Sequence, residues 1–257
     1  MNSPMLKSVH ESPRLEVDQL TVKFGGLTAV DNVSFDVRPS EVVALIGPNG
    51  AGKTTVFNAV CSLLRCAGTI KIDGKVTPRH TPKLGKLGLS RTLQGLGLFS
   101  SMTVRENVTL PLVGSPQAAE NVTKQLSQLD LLDIADRQVA ELSYPDRKRV
   151  ALARSLVTDP SLLLLDEPAG GLGSEDIDAL AGTVRDIAAS GRSVLLVEHH
   201  VDFVMALADR IVVLDFGKVI ARGTPAEIRN DPRVEEAYLG VSAANGNGAA
   251  ATNGAES

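Results

Sequence analysis

Three short stretches of this sequence carry residues suited to holding and cutting a polyphosphate. The first, Gly47-Pro48-Asn49-Gly50-Ala51-Gly52-Lys53-Thr54, matches G-x-x-x-x-G-K-[ST] and runs on into Thr55. Phosphate oxygens must come close to the backbone there, and glycines leave the room. Successive N–H groups, together with the start of the following helix, then point at the anion. Lys53 adds a point charge for the β- and γ-phosphates. The Thr54 hydroxyl can ligate Mg²⁺, and Thr55 can donate to the α-phosphate.

The second stretch, Leu162-Leu163-Leu164-Leu165-Asp166-Glu167, is an apolar strand ending in two carboxylates. With a phosphate loop in the same chain, Asp166 can hold Mg²⁺ through water. Glu167 can orient and deprotonate an attacking water. The third stretch, Val194-Leu195-Leu196-Val197-Glu198-His199-His200, repeats the design. A histidine at such a strand end can hydrogen-bond the γ-phosphate or the water. Both neighbours qualify in principle, and His199 lies nearer the strand end. His10 and His80 have no such setting.

These stretches need strands that end together and a helix behind the loop. Leu15 to Phe24 and Val33 to Val37 alternate apolar and polar residues, with Gly25-Gly26 as a break. Glu41 to Ile46 reads as a buried strand, Thr54 to Leu64 as a helix, and Thr69 to Asp73 as a short strand. Residues 103–142 read as helical, starting from a capping box of Thr103 with Glu106 and broken at Gly114 to Pro116. Helices are expected at Arg147 to Val157, Asp176 to Ala189 and Val201 to Ala208. Further strands are expected at Leu162 to Leu165 and Ser193 to Val197, with a hairpin of Ile211–Leu214 and Val219–Ala221. The fold class is therefore α/β, a P-loop core with a parallel sheet beside an antiparallel β-subdomain and a helical subdomain at about 95–158. Residues 14–241 form the expected domain. Residues 1–13 read as a disordered arm and 242–257, small and Gly/Asn-rich, as a disordered tail.

Composition narrows the function. The 257 residues carry a net charge of -4 and no Trp, which argues against nucleic-acid binding. The run Arg147-Lys148-Arg149 then reads as a solvated helix face. No apolar run approaches the roughly 20 residues of a membrane helix, and the N-terminus lacks a signal pattern. A cytoplasmic protein is expected, with Cys61 and Cys66 as reduced packing thiols.

The order of motifs resembles an ABC transporter ATPase over roughly Leu15 to Gly240: GPNGAGKTT, RTLQ, a Leu-Ser-Tyr segment entering a helix, LLLLDEP and VEHH. The resemblance implies ATP and Mg²⁺ as ligands and a nucleotide-sandwich dimer with a second ATPase subunit. It also implies transmembrane permease subunits, an indirect substrate-binding protein, and a place on the inner face of the cell membrane. Gln94 would touch Mg²⁺ or the water and sense the permease, Phe24 would stack on adenine, and Ser143 and Tyr144 would belong to the signature. The finer resemblance, carried by Phe24-Gly25-Gly26-Leu27, Arg91-Thr92-Leu93-Gln94, Glu198 to Met205 and Tyr238-Leu239-Gly240, is to branched-chain amino-acid importers. Some of these stretches also occur in ATPases of lipopolysaccharide export.

The signature departs from the family. Leu142-Ser143-Tyr144-Pro145-Asp146 puts Pro145 where the family has a glycine whose N–H reaches the partner's γ-phosphate, and Asp146 where it has glutamine. Proline lacks that N–H, although Pro and an acidic residue both suit a helix start. Gly173 stands where the family usually has Asp or Asn. These changes lead us to expect one competent and one weak ATP site in the dimer. The other readings are a nucleotide-binding regulator with weak hydrolysis, or an ABC ATPase acting on translation or DNA, which usually carries two cassettes or long coiled coils.

Overall fold

The computed structural model describes residues 12–78, 84–92 and 95–238. The expected arm, apart from residues 12–13, and the expected tail lie outside these residues, as do His10, His80, Gln94 and Leu239-Gly240.

Two sheets carry the fold. The antiparallel one has the order β2-β1-β4-β5, built from β1 (Leu15–Phe24), β2 (Leu27–Val37), β4 (Ala67–Ile72) and β5 (Lys75–Val76). The larger one runs β10-β9-β3-β8-β7-β6. It comprises β3 (Val42–Ile46), β6 (Leu89–Arg91), β7 (Leu162–Asp166), β8 (Ser193–Val197), β9 (Arg210–Asp215) and β10 (Lys218–Gly223). Its strands are parallel except for β10 against β9.

The central strands are apolar at almost every position because both sheet faces are covered. Val42, Ala44, Ile46, Leu163, Leu165, Val194 and Leu196 pack into one core with the helices α2 (Val104–Thr109), α3 (Ala118–Gln128), α4 (Tyr144–Leu156) and α5 (Ser174–Ala189). Val43, Leu45, Leu162, Leu164, Leu195 and Val197 face the opposite core, with α1 (Lys53–Val60) and the antiparallel sheet. The chain reaches its end through α6 (Val201–Leu207), α7 (Pro225–Arg229) and a helical segment at 232–238.

Register brings the three sequence stretches to one edge. Leu45 pairs with Val197, and Val197 pairs with Asp166. One or two residues beyond that row lie Gly47, Glu198-His199 and Glu167. The strand carrying the histidine stands between the other two, so the acidic strand does not pair with the loop strand. Ligands of open α/β sheets bind at such carboxyl edges.

Several elements differ from expectation. In the stretch 103–142 the expected break at Gly114, φ 87, does separate α2 from α3. But α2 already ends at Thr109, with Pro111 in a 3-10 turn at Leu110–Leu112, and beyond Gln128 the chain forms only the 3-10 turns Leu132–Ile134 and Val139–Glu141. The helix after the phosphate loop ends at Val60, because Ser62 turns to φ 54. Helix α4 starts at Tyr144, earlier than periodicity indicated, because Ser143 caps it. The short strands β5 and β6 and the segment Pro225–Arg229 were not anticipated.

Candidate functional site

The loop between β3 and α1 is shaped by close backbone approaches. Gly47 has φ 151, and a Cβ there would lie 2.1 Å from the Leu214 carbonyl oxygen. Gly52 has φ 101, and its Cβ would come 2.8 Å from the Ala29 oxygen. Only glycine fits either position. Gly52 is also the N-cap of α1 and supplies no side-chain cap, so the first-turn N–H groups stay available to an anion. Among the described residues, nothing hydrogen-bonds the hydroxyls of Thr54 and Thr55.

Lys53 is only 8 % exposed. Its Nζ donates to the carbonyl oxygens of Gly47 (2.7 Å) and Pro48 (2.9 Å), curling the loop around the ammonium. Pro48, Asn49, Gly50 and Ala51 form the arch of the loop. Burial pulls the Lys53 pKa below its ordinary value, and the Glu167 charge opposes that pull. The acidic strand end is therefore within electrostatic reach of the loop.

Asp166 is buried, and its Oδ2 accepts from Arg91 Nη2 at 2.6 Å. Glu167 takes the left-handed conformation, φ 48, and its N–H donates to Val197 O at 2.9 Å. Its carboxylate is partly exposed, with Oε1 3.8 Å from His199 Nδ1. That gap is too long for a direct hydrogen bond, although hydrogen bonds between groups that act on a substrate are often long in its absence. The structure thus brings Lys53, Asp166, Glu167 and His199 to one edge. Phe24 ends β1, is 49 % exposed, and sits in the β1–β2 hairpin, whose Ala29 abuts Gly52.

Three residues that sequence reasoning passed over hold this edge together. Glu198 is completely buried and accepts three backbone N–H bonds, from Ala169 (2.7 Å), His199 (3.0 Å) and His200 (3.1 Å). It stood in the sequence as one letter of a motif. Lys148, expected to lie in a solvated face, is half-buried instead. Its Nζ donates to the carbonyls of Glu167 (3.2 Å) and Pro168 (2.6 Å) and lies 5.4 Å from the centre of the Tyr144 ring. Helical spacing was the available signal, since Tyr144 and Lys148 stand four apart on one face. Arg91, like Glu198, stood in the sequence only as one letter of a motif, with nothing in its spacing to indicate the partner it meets.

At the start of α4, Ser143 accepts from the Asp146 N–H at 3.2 Å, and its own hydroxyl donates to Asp146 Oδ2 at 2.7 Å. Asp146 also pairs with Arg149. Partial burial pushes the Asp146 carboxyl up, but the hydrogen bonds from Ser143 and Arg149 outweigh it and hold the group below its ordinary value. The helix start is thus a self-satisfied cap with its serine hydroxyl engaged.

No cluster of three or more His, Cys, Asp or Glu exists among the described residues to cage a metal. Magnesium does not need one. It takes one or two carboxylates or hydroxyls, with substrate phosphates and water completing the shell. Asp166 Oδ1, which has no hydrogen bond among the described residues, and the Thr54 hydroxyl are hard oxygen donors that fit this pattern.

Residues 30–170 match the family profile described as "ABC transporter", and residues 218–244 match "Branched-chain amino acid ATP-binding cassette transporter". The chain is 38 % identical over 257 residues to the high-affinity branched-chain amino acid transport ATP-binding protein LivG of Salmonella typhimurium, covering 89 % of this chain and 98 % of that protein. It is 38 % identical to BraF of Pseudomonas aeruginosa over 252 residues, with the same shares covered. Among solved structures, a nucleotide-free ATP-binding cassette from an ABC transporter superposes with a TM-score of 0.80 at 30 % identity, covering 88 % of this chain and 99 % of that one. An ATP-binding cassette in its ADP conformation gives 0.81 at 30 %, covering 89 % and 99 %.

Proposed function

The chain belongs to the ABC transporter family of ATP-binding proteins, and from that membership we propose that it energises a branched-chain amino-acid importer. ABC ATPases hydrolyse ATP to power transport, and this chain does so as an ATP-binding subunit. The amino-acid assignment is supported by the tail match at 218–244 and by the LivG and BraF relatives. Association with permease subunits and a partner ATPase follows from the family. In this reading the chain lies on the inner face of the membrane, with the helices α2 to α4 and the segment Gly95 to Ser101 facing the permease. Among the described residues no helix is long and apolar enough to cross a membrane.

One observation carries the reading: a lysine wrapped inside a glycine loop shares a sheet edge with a buried aspartate, a glutamate and a histidine. Backbone N–H groups of the loop and Lys53 hold the phosphates. Glu167 orients a water and takes its proton as the water oxygen bonds to the γ-phosphorus and the bond to the ADP oxygen breaks. His199 donates to the γ-phosphate or positions that water. Asp166 and Thr54 would hold Mg²⁺, whose charge offsets the negative charge gathering on the phosphates. Phe24 gives adenine an aromatic face, and a partner's signature closes the site. This chain's Ser143 and Tyr144 close the partner's site, less well because of Pro145 and Asp146.

The test uses the purified chain and its complex from membranes. Lys53→Ala should lose binding of a fluorescent ATP analogue. Glu167→Gln should keep binding and lose turnover. Lys53→Ala retaining nucleotide as tightly as the parent would refute the site. Leucine uptake that does not depend on the chain would refute the importer assignment alone.

A further inference from the structure

Arg91 ends β6, the edge strand, where it pairs with Leu164 of β7. Its side chain crosses the carboxyl edge, lies against the Cys61 thiol, and makes two directed bonds to side-chain oxygens. Nη2 donates to Asp166 Oδ2 at 2.6 Å, and Nη1 donates to Asn58 Oδ1 at 2.8 Å. The guanidinium carbon also lies 5.3 Å from the centre of the Phe57 ring. Phe57 and Asn58 belong to α1, the helix that begins with Lys53 and Thr54. A single planar cation therefore bolts the acidic strand end to the phosphate helix. The next residue reinforces it: the Asp166 N–H donates to Thr92 Oγ1 at 3.3 Å, and the Thr92 N–H donates to Leu164 O at 3.0 Å.

The pair is buried, with side chains 13 % and 3 % exposed. A carboxylate in such a place, without a partner, would be an uncompensated charge, free to turn about its last bond. Arg91 engages Oδ2 only. Among the described residues nothing hydrogen-bonds Oδ1. Because Asn58 and Phe57 grip the guanidinium from the helix side, Arg91 need not leave when Oδ1 meets a cation. We infer that Arg91 is a positioning residue that fixes the Asp166 carboxylate with one oxygen presented to the magnesium ion of Mg-ATP. This rests on the reading of Asp166 as a metal-side residue.

Two other roles make different forecasts. A simple structural tie would weaken nucleotide binding with or without metal. A competitor for Asp166 would, on removal, let Mg²⁺ bind more tightly. The measurement is binding of a fluorescent ATP analogue to the purified chain, in chelator and across a Mg²⁺ titration. The variants are Arg91→Met, Arg91→Lys, Asp166→Asn and the double change Arg91→Met with Asp166→Asn.

Partners that orient metal ligands typically change metal affinity on the order of 10–100-fold. Arg91→Met should raise the half-saturating Mg²⁺ by that order while affinity in chelator stays within about twofold. Arg91→Lys should fall between, since an ammonium cannot address Asp166 and Asn58 in one plane. The double variant should match Asp166→Asn alone. If Asp166→Asn raises the half-saturating Mg²⁺ and Arg91→Met leaves it unchanged or lowers it, the inference is overturned and the site reading stands. An equal loss of affinity in chelator overturns it too. Should Arg91→Met fail to fold, parental Mg²⁺ dependence in Arg91→Lys has the same force. If Asp166→Asn itself does not alter Mg²⁺ dependence, the metal reading fails and takes the inference with it.

Discussion

Replacing Pro145 by Gly and Asp146 by Gln together should speed ATP cleavage at the partner's site while lowering the stability of this chain. The gain has two sources. Position 145 would recover an N–H able to make a charge-assisted hydrogen bond, which contributes roughly 1.5–3 kcal/mol. At about 1.4 kcal/mol per tenfold, that is roughly 10–150-fold in rate if the bond is made only in the transition state. Position 146 would lose a full negative charge held close to where the phosphate must approach. Asp146 is ionised near neutral pH, since its bonds to Ser143 and Arg149 outweigh burial. Glutamine would leave the Ser143 hydroxyl with a neutral, weaker acceptor and free it more readily for phosphate.

The cost falls on the helix. Pro145 sits in the first turn of α4, and replacing it by glycine enlarges the freedom of the unfolded chain, worth about 0.4–1 kcal/mol. Removing the Asp146 charge forfeits its contact with the helix dipole and with Arg149, about 0.3–1 kcal/mol each. The melting temperature should therefore fall as the rate rises, and general stabilisation cannot explain such a pair of changes. The assay is single-turnover cleavage of labelled ATP by the complex with its natural partner, in a Glu167→Gln background that silences this chain's own site. A single turnover avoids the slow reopening that would mask the effect. An unchanged or slower rate in an assembled dimer would refute the reasoning.

Gly47→Ala should abolish nucleotide binding and lower thermal stability, since its Cβ would meet the Leu214 oxygen at 2.1 Å; calorimetry and fluorescent-nucleotide binding check this. Lys148→Met removes the donor to the Glu167 and Pro168 carbonyls. Turnover should drop by about tenfold or more, from roughly 1.5–3 kcal/mol of lost bonding, while steady-state kinetics show ATP affinity little changed. Arg210→Met should cost about 1–3 kcal/mol near neutral pH by urea unfolding, because Arg210 ties Asp36 to Glu41. The penalty should be pH-dependent: burial pushes the Asp36 carboxyl up, but Arg210, Arg38 and Arg222 more than reverse it. A carboxylate held low contributes stability above its unfolded value of 3.8 and loses it as pH falls through the folded value, so parent and variant should converge in acid.

The chemistry-bearing residues were legible because their signals are local. Gly47 to Thr55 is contiguous, and Leu162 to Leu165 and Val194 to Val197 are unbroken apolar runs. Even the capping box of Thr103 and Glu106 could be read, since its partners stand three residues apart. What escaped was of two kinds. Strands of two or three residues, such as β5 and β6, have no period to detect. Contacts between distant segments leave no mark in spacing: Arg91 and Asp166 are 75 residues apart, and Glu198 reaches Ala169 across 29. The helices of 103–142 were misjudged for another reason. The break at Gly114 was legible, but leucine and isoleucine spacing continued through Leu129, Leu132 and Ile134, where the backbone forms only short 3-10 turns beyond Gln128.

Those distant contacts decide how the edge can move. Glu198 is fully buried, and its carboxylate binds the N–H groups of His199 and His200 through one oxygen and that of Ala169 through the other. The backbone of the histidine and the loop that follows Glu167 therefore share one anchor. Lys148 attaches that same loop to α4, the helix that Ser143 caps. Loss of any one of these bonds would leave a buried polar group unpaired, which costs more than the bond itself contributes. The set is therefore expected to shift as a unit. In the proposed dimer, a displacement of α4 would reach the backbone of Glu167 and Pro168 through one Lys148 bond each, and His199 through the two Glu198 bonds to Ala169 and His199. If two such sites are coupled in the proposed dimer, Lys148 and Glu198 offer a route within one chain that does not involve Gly173.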